Sequence, residues 1–264
     1  MDGIPWIRFK DKTFEKWACK FWDADKDGGI TEKEGNISQG LYVYNINEWG
    51  EEYLSYFNSA EIFDYSKLHC KAKAIGMIGS SAKELYIGKI DSTASRISTG
   101  YMAYQNSATL EICDIGPNVN WIERATFRNC QLLKKVILND SLLAIDGWAF
   151  TNCKNLEYIS PLPDTCTRMY GDYNGQMFDG CVKLKTFIVG TGMQRIGGRC
   201  FYGCTAMETF YIKATIPPTL DNSDAFNNNP CMIYVPIGCG VAYKTATNWS
   251  ALSSRIQEYD FNNE

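Results

Sequence analysis

Residues 122–138, with the sequence IERATFRNCQLLKKVIL, contain a pattern that recurs along the chain. The centre of the pattern is Phe-x-x-Cys, which is found at Phe127/Cys130, Phe150/Cys153, Phe178/Cys181 and Phe201/Cys204. The successive phenylalanines are 23, 28 and 23 residues apart. Because a period of about 20–50 residues is typical of proteins built from stacked units, the pattern predicts a solenoid.

Further apolar residues lie at fixed distances from each phenylalanine. An isoleucine precedes three of the phenylalanines by five residues, and a leucine or methionine follows every cysteine of the pattern by three. A trio with apolar first and third residues comes next. Equivalent trios begin at Leu85, Leu110, Val136, Ile159, Phe187, Phe210 and Ile233, so we expect about seven coils.

The spacing within the trios predicts the fold class. Apolar residues that alternate with one intervening residue indicate β-strands. Because a single coil cannot bury its own apolar face, we expect the strands of successive coils to pair in one parallel sheet. The half of each coil that holds Phe-x-x-Cys is the expected return leg, a short helix or helical turn whose phenylalanine fills the interior. The sequence therefore predicts an α/β solenoid.

Solenoids also need structures that cover their ends, because the end coils expose their core. We expect a helical N-terminal cap over residues 1–60, the solenoid over residues 61–235 and a C-terminal cap over residues 236–264. The 28-residue coil carries about five extra residues, which we expect within Asp164–Gln176. Such insertions usually form loops on one face of the solenoid.

Composition excludes several classes of function. The chain has 264 residues, 45% of them hydrophobic, and a formal net charge of −4. It has no basic stripe of the kind that neutralises phosphates, so we expect no nucleic-acid partner. No apolar run approaches the roughly 18 residues of a membrane span. Met1–Trp6 does not have the pattern of a signal peptide.

The eleven cysteines are expected to be structural thiols rather than a disulfide framework. Four of them occupy one repeat position, where equivalent side chains of stacked coils point the same way, which is poor geometry for a disulfide. We expect these four to pack as small apolar residues. A pair among the less regular Cys200, Cys231 and Cys239 stays open. With a single histidine, His69, and no Cys-x-x-Cys, a structural zinc site is not expected.

Residues 23–34, DADKDGGITEKE, match the calcium loop D-x-[DN]-x-[DN]-G-x5-E at every specified position. In such loops side-chain oxygens and one backbone carbonyl surround the ion. The expected ligands are Asp23, Asp25, Asp27, Gly29, Thr31 and Glu34. Helical periodicity over 14–22 indicates that a helix enters the loop, and the alternative is an acidic turn that caps this helix. Because no second loop pairs with it, we expect a structural site rather than a switch.

The repeat Ile-x4-Phe-x-x-Cys-x-x-Leu resembles the BspA-like leucine-rich repeats of bacterial surface proteins. The alanine before the phenylalanine in that family is kept at Ala149 and Ala225. The closing segment and a single N-terminal calcium loop are also similar to features of that family. The resemblance covers about residues 60–264. It implies a leucine-rich-repeat-like sheet, secretion or surface display, and binding to proteins or glycans, with no catalytic residues.

This sequence departs from the family pattern in two places. Residues 85–112 lack Phe-x-x-Cys, and in the last coil Phe226 is followed by Cys231 instead of a cysteine at position 229. We therefore expect irregular coil edges there.

A partner is expected on the outward face of the sheet, because exposed aromatic residues are enriched in interfaces. The residues proposed for this role are Tyr86, Tyr158, Ile188, Tyr211 and Tyr234 in the strands, and Tyr170 and Tyr173 in the insertion. The alternative is that these residues simply suit a solvated sheet, since tyrosine and isoleucine favour strands. A spacer domain without any ligand is the competing function.

Enzymatic function has little support in the sequence. Ser80 and Lys83 match S-x-x-K, but the partner motifs are absent. His69 and Cys70 are adjacent, which disfavours a nucleophile pair on one strand face. A hydrolase with a Ser-Lys or Cys-His pair is the remote alternative, and the ligand identity and oligomeric state stay open.

Overall fold

The computed structural model describes residues 83–86, 95–99, 101–170 and 175–262, and the backbone of two strands at residues 40–42 and 62–64. One series of parallel strands forms the front face, with a six-stranded sheet of β1 (Gly40–Tyr42), β2 (Ile62–Asp64), β3 (Glu84–Tyr86), β4 (Ile112–Asp114), β6 (Lys135–Ile137) and β8 (Tyr158–Ile159). The front face continues in a four-stranded sheet of β10 (Thr186–Val189), β12 (Thr209–Ile212), β14 (Met232–Pro236) and β15 (Ile256–Tyr259).

A second set of strands forms the back sheet, which the repeat pattern did not predict. It contains β5 (Trp121–Ile122), β7 (Ala144–Ile145), β9 (Arg168–Met169), β11 (Arg195–Ile196) and β13 (Thr219–Leu220), all parallel. Each of these two-residue strands turns one apolar side chain inward, as Ile122 and Ile145 do. The prediction of parallel pairing is therefore confirmed, and the prediction of one sheet was wrong because the isoleucine of the repeat belongs to a second ladder.

Helices are few in the described residues: α1 (Gly240–Thr245) and two 3-10 helices, Ser223–Phe226 and Trp249–Arg255. The Phe-x-x-Cys segments, which were expected to form a short helix or a helical turn, form turns and no helix. In each turn the residues two before and two after the phenylalanine have positive φ, for example Ala125 at 56° and Asn129 at 61° around Phe127. Left-handed residues on both sides of the phenylalanine prevent a helix from extending.

The turns bond both within themselves and to the next coil. The N–H groups of Arg128 and Cys130 donate to the carbonyls of Ala125 and Phe127 in the same turn, at 3.2 and 3.1 Å, while the intervening N–H groups donate to the next coil. The N–H of Phe127 donates to the carbonyl of Ala149 in the next coil at 2.8 Å, and the N–H of Phe150 donates to Met177 at the same distance. Phe178 and Phe201 repeat this bond with the coils that follow them. A helix would use these N–H groups internally, so the coil-to-coil bonds explain why the turn is preferred.

One aromatic ring from each coil stacks on the next inside the solenoid. The centroids of neighbouring rings in this aromatic column are 5.5, 5.2, 5.0, 5.4 and 5.3 Å apart, in the order Tyr104, Phe127, Phe150, Phe178, Phe201 and Phe226. All six side chains are buried. The expectation that the repeat phenylalanine fills the coil interior is confirmed.

The column also corrects the assignment of the upstream coil. Apolar alternation predicts a strand trio at Leu110–Ile112, but the strand is Ile112–Asp114, and its Cys113 pairs with Leu85 and Val136. Leu110 therefore occupies the position of Leu133. Tyr104 and Ser107 stand where the other copies have phenylalanine and cysteine, so a diverged copy of the repeat is present in residues 85–112.

The four repeat cysteines donate hydrogen bonds to the carbonyls of the preceding coil. The Sγ–O distances from Cys130, Cys153, Cys181 and Cys204 are 3.0, 3.0, 3.2 and 3.1 Å. In the last coil the Nδ2 of Asn229 donates to the carbonyl of Phe201 at 3.2 Å, in the place of a thiol. The small polar donor, rather than sulfur itself, is therefore the constant feature of this position.

All cysteines of the described residues are free thiols, and Cys239 alone among them is not fully buried. Burial raises the pKa of the Cys130 thiol to about 12 and that of Cys231 to about 11. Burial also raises the pKa values of Cys153, Cys181 and Cys204. A raised pKa keeps these groups protonated at neutral pH, and thiols are much weaker nucleophiles than thiolates.

The chain after β14 covers the last coil. Trp249 lies 6.2 Å from the ring of Phe226 and so ends the aromatic column, and its Nε1 donates to the carbonyl of Pro218 at 2.7 Å. Parallel pairing continues beyond both expected cap boundaries, since β1 pairs with β2 and β14 pairs with β15. The boundaries at residues 60 and 235 stay predictions, as do the number of coils and the helical N-terminal cap.

We expect Phe150→Ala to lower the free energy of unfolding by about 3–5 kcal/mol, because it leaves a cavity in the aromatic column. Urea denaturation measures this change. Tyr158→Ala on the front face is the control, since Tyr158 is 47% exposed, and its effect should be much smaller. Equal losses for the two variants would contradict the interior position of Phe150.

We expect Cys130, Cys153, Cys181 and Cys204 to react with thiol reagents only after denaturation, because they are buried and hold their protons. Alkylation in native and denaturing buffer, followed by peptide mass mapping, measures the reactivity of each cysteine. The partly exposed Cys239 serves as the internal reference for native labelling. A disulfide between Cys130 and Cys153 would overturn the picture of stacked thiols.

The stability of the C-terminal segment should depend on pH through Glu258. The Oε1 of Glu258 accepts from the N–H of Gly240 at 2.8 Å, and the N–H groups of Gly238 and Gly240 hold the pKa of this carboxyl below its usual 4.5. A lowered pKa stabilises the fold above the unfolded-state value, and that contribution is lost as pH falls through the folded-state value. We expect E258Q to lower the Tm at neutral pH.

Thermal melts of the parent and E258Q from pH 7 to pH 3 test this dependence. The difference between the two Tm values should shrink below about pH 4.5. Glu157→Gln on the exposed front face is the control, and a difference for E258Q that is the same at all pH values would refute the role of the carboxylate.

Candidate functional site

The front face presents a row of apolar and aromatic side chains on its last strands. Ile188 in β10 pairs with Tyr211 in β12, and Tyr211 pairs with Tyr234 in β14. Because neighbouring residues of a strand point to opposite faces, these three side chains are outward while Phe187, Phe210 and Ile233 are buried in the core. The row therefore follows directly from strand register.

Four aromatic side chains cluster at this end of the front face and form what we call the aromatic shelf: Tyr211, Tyr234, Tyr259 and Phe261. The rings of Tyr211 and Tyr234 are stacked with their centroids 5.0 Å apart. Tyr259 lies 5.2 Å from Tyr211 and 5.0 Å from Phe261. Each of the four is half-buried, so the shelf combines mutual packing with solvent access.

A cleft of about 350 Å³ opens beside the shelf. It is lined by Asp140, Pro161, Leu162, Pro163, Asp164, Thr165, Ile188, Gly190 and Lys213. Ile188 is the strand-register partner of Tyr211 in the shelf, and the Nζ of Lys213 is 5.5 Å from the centroid of Phe261. The cleft and the shelf are therefore continuous parts of one surface.

The cleft lies where the front ladder is interrupted. Within the described residues, pairing stops at β8 and resumes at β10. Pro161 and Pro163 lack N–H groups and cannot continue a ladder. Across the gap, the N–H of Leu162 donates to the carbonyl of Ile188 at 2.9 Å. The cleft is thus a consequence of proline placement in the coil of 28 residues.

Close backbone contact on the far side of the cleft requires a glycine. A Cβ atom on Gly190 would lie 2.7 Å from the carbonyl oxygen of Pro163, which is closer than real Cβ contacts allow. Asp164 then accepts a hydrogen bond from the N–H of Thr191 at 2.7 Å, and Thr165 donates to the carbonyl of Asp140 at 2.7 Å. The first bond holds the end of the proline segment to the residues that follow β10, and the second holds it to the preceding coil.

The structure places the predicted partner residues on two different surfaces. Tyr158, Ile188, Tyr211 and Tyr234 belong to front-face strands, and the backbone of Tyr86 belongs to β3 of the same face. Tyr170 instead follows β9 of the back sheet. Tyr173 lies outside the described residues, as do the six expected calcium ligands from Asp23 to Glu34.

Tyr259, Phe261 and the polar residues of the cleft were missed by sequence reasoning. A signal for β15 was available, because Ile256 follows Ile233 by 23 residues, the same step as between earlier strands. The cleft had no such signal. It depends on how Pro161–Pro163 approaches Gly190, which only the folded coil decides.

The back sheet carries stacked arginines and aromatic rings. The guanidinium groups of Arg96 and Arg168 lie 3.9 and 4.3 Å from the ring centroid of Trp121, so this ring is sandwiched between two cations. The Nε1 of Trp121 donates to Asp146 at 2.9 Å, and burial raises the pKa of that carboxyl. Farther along, Arg195 stacks on Tyr170 at 3.6 Å.

The charges of the back sheet are already compensated within the chain. Arg96 contacts Glu123 at 2.7 Å and Asp146 at 3.3 Å, and Arg195 contacts Asp221 at 2.8 Å. Partly exposed pairs of this kind contribute little stability, but they leave less charge available for a partner. The front face is therefore the better candidate for recognition.

Metal and membrane sites receive no support from the described part of the chain. No group of three histidine, cysteine, aspartate or glutamate side chains there is placed to hold a metal ion. Among the same residues, no helix has the length and hydropathy needed to cross a membrane. Of the residues considered for catalysis, Ser80, His69 and Cys70 lie outside this part of the structure.

The fold is leucine-rich-repeat-like, with parallel sheets and few helices. The family model described as the BspA type leucine rich repeat region matches six copies over residues 97–233, which is more than half of the chain. The chain belongs to this family. No protein of curated function matches the sequence.

Several solved structures are similar to the chain at low identity. A leucine rich cell surface protein from Faecalibacterium prausnitzii A2-165 is 19% identical, with a TM-score of 0.45, over 85% of this chain and 65% of its own. The pneumococcal vaccine antigen PcpA is 14% identical, with a TM-score of 0.38, over 83% and 67% of the two chains. A leucine-rich repeat protein from Bacteroides ovatus ATCC 8483 is 14% identical, with a TM-score of 0.31, over 83% and 84%. The chain thus spans just under two thirds of the Faecalibacterium protein.

Proposed function

We propose that this chain is a non-enzymatic module of a secreted or cell-surface protein and that it binds a protein or glycan partner through its front face. The observation that carries the proposal is the aromatic shelf, in which four half-buried rings contact one another beside a cleft. Aromatic side chains with partial solvent access are enriched among the residues that dominate binding energies.

The contrast between the two sheets also supports the front face as the binding surface. The arginines of the back sheet contact carboxylates and rings of their own chain, as Arg195 contacts Asp221 and Tyr170. The shelf instead leaves parts of its rings in contact with water. The chain belongs to the BspA-type repeat family, and its repeats resemble those of bacterial surface proteins, which supports surface display.

The chemistry of the buried thiols supports a non-enzymatic role. The described repeat thiols hold their protons because they are buried, and they point at backbone carbonyls of the preceding coil. Such groups are poor nucleophiles. A repeat scaffold of this kind offers surface rather than an enclosed reaction site.

A binding screen tests the proposal with the chain and two matched variants. The parent is applied to arrays of glycans and of extracellular proteins, together with Tyr211→Ser/Tyr234→Ser in the shelf. Tyr101→Ser is the control, because Tyr101 is 60% exposed and lies on a turn away from the shelf. We expect the double variant to weaken the parent's binding by about tenfold or more and the control to leave it unchanged.

A ligand retained equally by both variants would place recognition elsewhere. The absence of any ligand would favour the competing function, a structural spacer in a larger surface assembly. Melting temperatures of the three proteins must agree within a few degrees for the comparison to report binding.

We also propose a structural calcium ion bound by Asp23, Asp25, Asp27, Gly29, Thr31 and Glu34, all outside the described residues. Its support is the loop sequence, whose four carboxylates have the spacing of a calcium loop, where such groups converge and repel one another without a cation. We expect a Kd of about 10⁻⁴–10⁻³ M, the range of extracellular modules, because no second loop pairs with this one.

Calorimetry with millimolar calcium tests this site, with Asp23→Ala/Glu34→Ala as the variant. Ligand that binds only the folded chain raises its stability, by about 2.7 kcal/mol at a hundredfold excess over Kd. We expect calcium to raise the Tm of the parent alone. Equal heats and equal Tm values for the two proteins would show that residues 23–34 form only an acidic turn.

A further inference from the structure

We propose that a second site, on the turns of the solenoid, binds an acidic segment of a protein partner. The site, which we call the arginine–tryptophan patch, consists of Arg124, Arg128 and Trp148. The guanidinium carbons of Arg124 and Arg128 lie 4.2 and 5.4 Å from the ring centroid of Trp148. The patch shares no residue with the front face, so this site is independent of the shelf.

The position of Trp148 follows from the geometry of the turns. In five successive coils of the described residues, the residue two positions before the ring of the aromatic column has a positive φ: 54° at Met102, 56° at Ala125, 62° at Trp148, 54° at Gln176 and 52° at Arg199. Because this conformation repeats, these side chains leave the turns in the same direction and form a row. Trp148 is fixed in the row, since its Nε1 donates to the Oε1 of Gln176 at 3.0 Å.

The charge of Arg128 is not compensated within the described residues. No carboxylate among them forms an ion pair with Arg128, and its buried Nε has no hydrogen-bond partner there. A guanidinium cannot lose its proton in a protein, and buried polar groups nearly always have a partner. The side chain as a whole is half-buried. An anion at its accessible side would supply the missing counter-charge.

Other stacks in the same chain show which group completes such an arrangement. In three of them an arginine that lies on an aromatic ring also contacts a carboxylate: Arg96 contacts Glu123 at 2.7 Å, Arg195 contacts Asp221 at 2.8 Å and Arg199 contacts Asp179 at 3.2 Å. Asp179 follows Phe178 directly, just as Arg128 follows Phe127. The patch therefore has a second guanidinium at the turn position where the Arg199 stack has its carboxylate, and a carboxylate from a partner would complete it.

The neighbouring surface favours a protein as the source of this carboxylate. Met102 is 38% exposed, and its N–H donates to the carbonyl of Arg124 at 3.1 Å, so it lies in the coil beside the patch. Arginine, tryptophan and methionine are the residue types enriched in protein interfaces. The planar fork of an arginine binds a carboxylate through two parallel hydrogen bonds. A run of aspartate or glutamate side chains can therefore bridge Arg124 and Arg128.

NMR and calorimetric titration of the full chain with a short polyglutamate peptide tests the proposal, with a polyglutamine peptide of the same length as the uncharged reference. Inorganic phosphate and a uronic-acid oligosaccharide test other sources of negative charge. Arg128→Gln removes the guanidinium of the patch. Arg195→Gln is the matched control, because it removes the same charge from a stack that already contains a carboxylate. Melting temperatures establish that each variant is folded.

We expect polyglutamate to bind the parent and to shift the indole N–H signal of Trp148, which Trp148→Phe identifies. Arg128→Gln should weaken this binding by about tenfold or more. Arg195→Gln should change it by less than about twofold, because partly exposed ion pairs contribute little. Tyr211→Ser/Tyr234→Ser should bind polyglutamate as the parent does, since the shelf is not part of the site.

Equal losses in Arg128→Gln and Arg195→Gln would overturn the inference, because they would show attraction to overall charge alone. An unchanged Trp148 signal would also overturn it, as would equal binding of polyglutamine. Tighter binding of phosphate or of the uronic-acid oligosaccharide would refute a protein carboxylate as the ligand. If polyglutamate does not bind the parent, the patch is not a site for acidic segments, and the function proposed for the front face is unaffected.

Discussion

The described coils of this protein make many of their backbone hydrogen bonds to neighbouring coils. The strands of both sheets pair in parallel from coil to coil, and even the Phe-x-x-Cys turns donate outward, as Phe127 does to Ala149 at 2.8 Å. A buried N–H without an acceptor costs free energy. An isolated coil would leave these groups unpaired, so no coil is expected to be stable without the next.

The side chains of the turn repeat the same constraint. The thiol of Cys153 donates to the carbonyl of Phe127 in the coil before it, and the ring of Phe150 stacks on the rings of Phe127 and Phe178. Where a coil departs from the repeat, the residue that replaces the phenylalanine or the cysteine keeps the same kind of contact. Tyr104 continues the aromatic column, and Asn229 donates where other coils use a thiol.

An interruption of this regular stacking within the described residues creates the cleft of the candidate site. In the coil of 28 residues, the interval from Met169 to Phe178 is nine residues, compared with five from Ile145 to Phe150. Most of the insertion therefore lies between the back sheet and the turn. The front ladder opens at Pro161 and Pro163 instead, and the cleft forms there. The cleft is thus a local feature that results from a departure from the repeat.

The two sheets differ in how they use aromatic residues. On the back sheet, Trp121 lies between Arg96 and Arg168 and donates to Asp146, so the cations, ring and carboxylate satisfy one another. On the front face, the rings of the shelf contact one another, as Tyr211 contacts Tyr234 and Tyr259, and Lys213 lies near Phe261. Sequence alone does not separate these cases, because both surfaces contain tyrosine.

The sequence alone determined the repeat, the buried phenylalanines, the parallel pairing and the front-face position of Tyr158, Ile188, Tyr211 and Tyr234. These features depend on the repeat period and on apolar alternation, which are local properties that recur in each copy of the repeat. The tertiary structure decided the back sheet, the strand at Ile112–Asp114, the contribution of Tyr259 and Phe261, and the cleft. Each of these arises from contacts between coils more than 20 residues apart in sequence, such as Gly190 against Pro163. Such contacts depend on the backbone path of the whole coil, which local residue patterns do not specify.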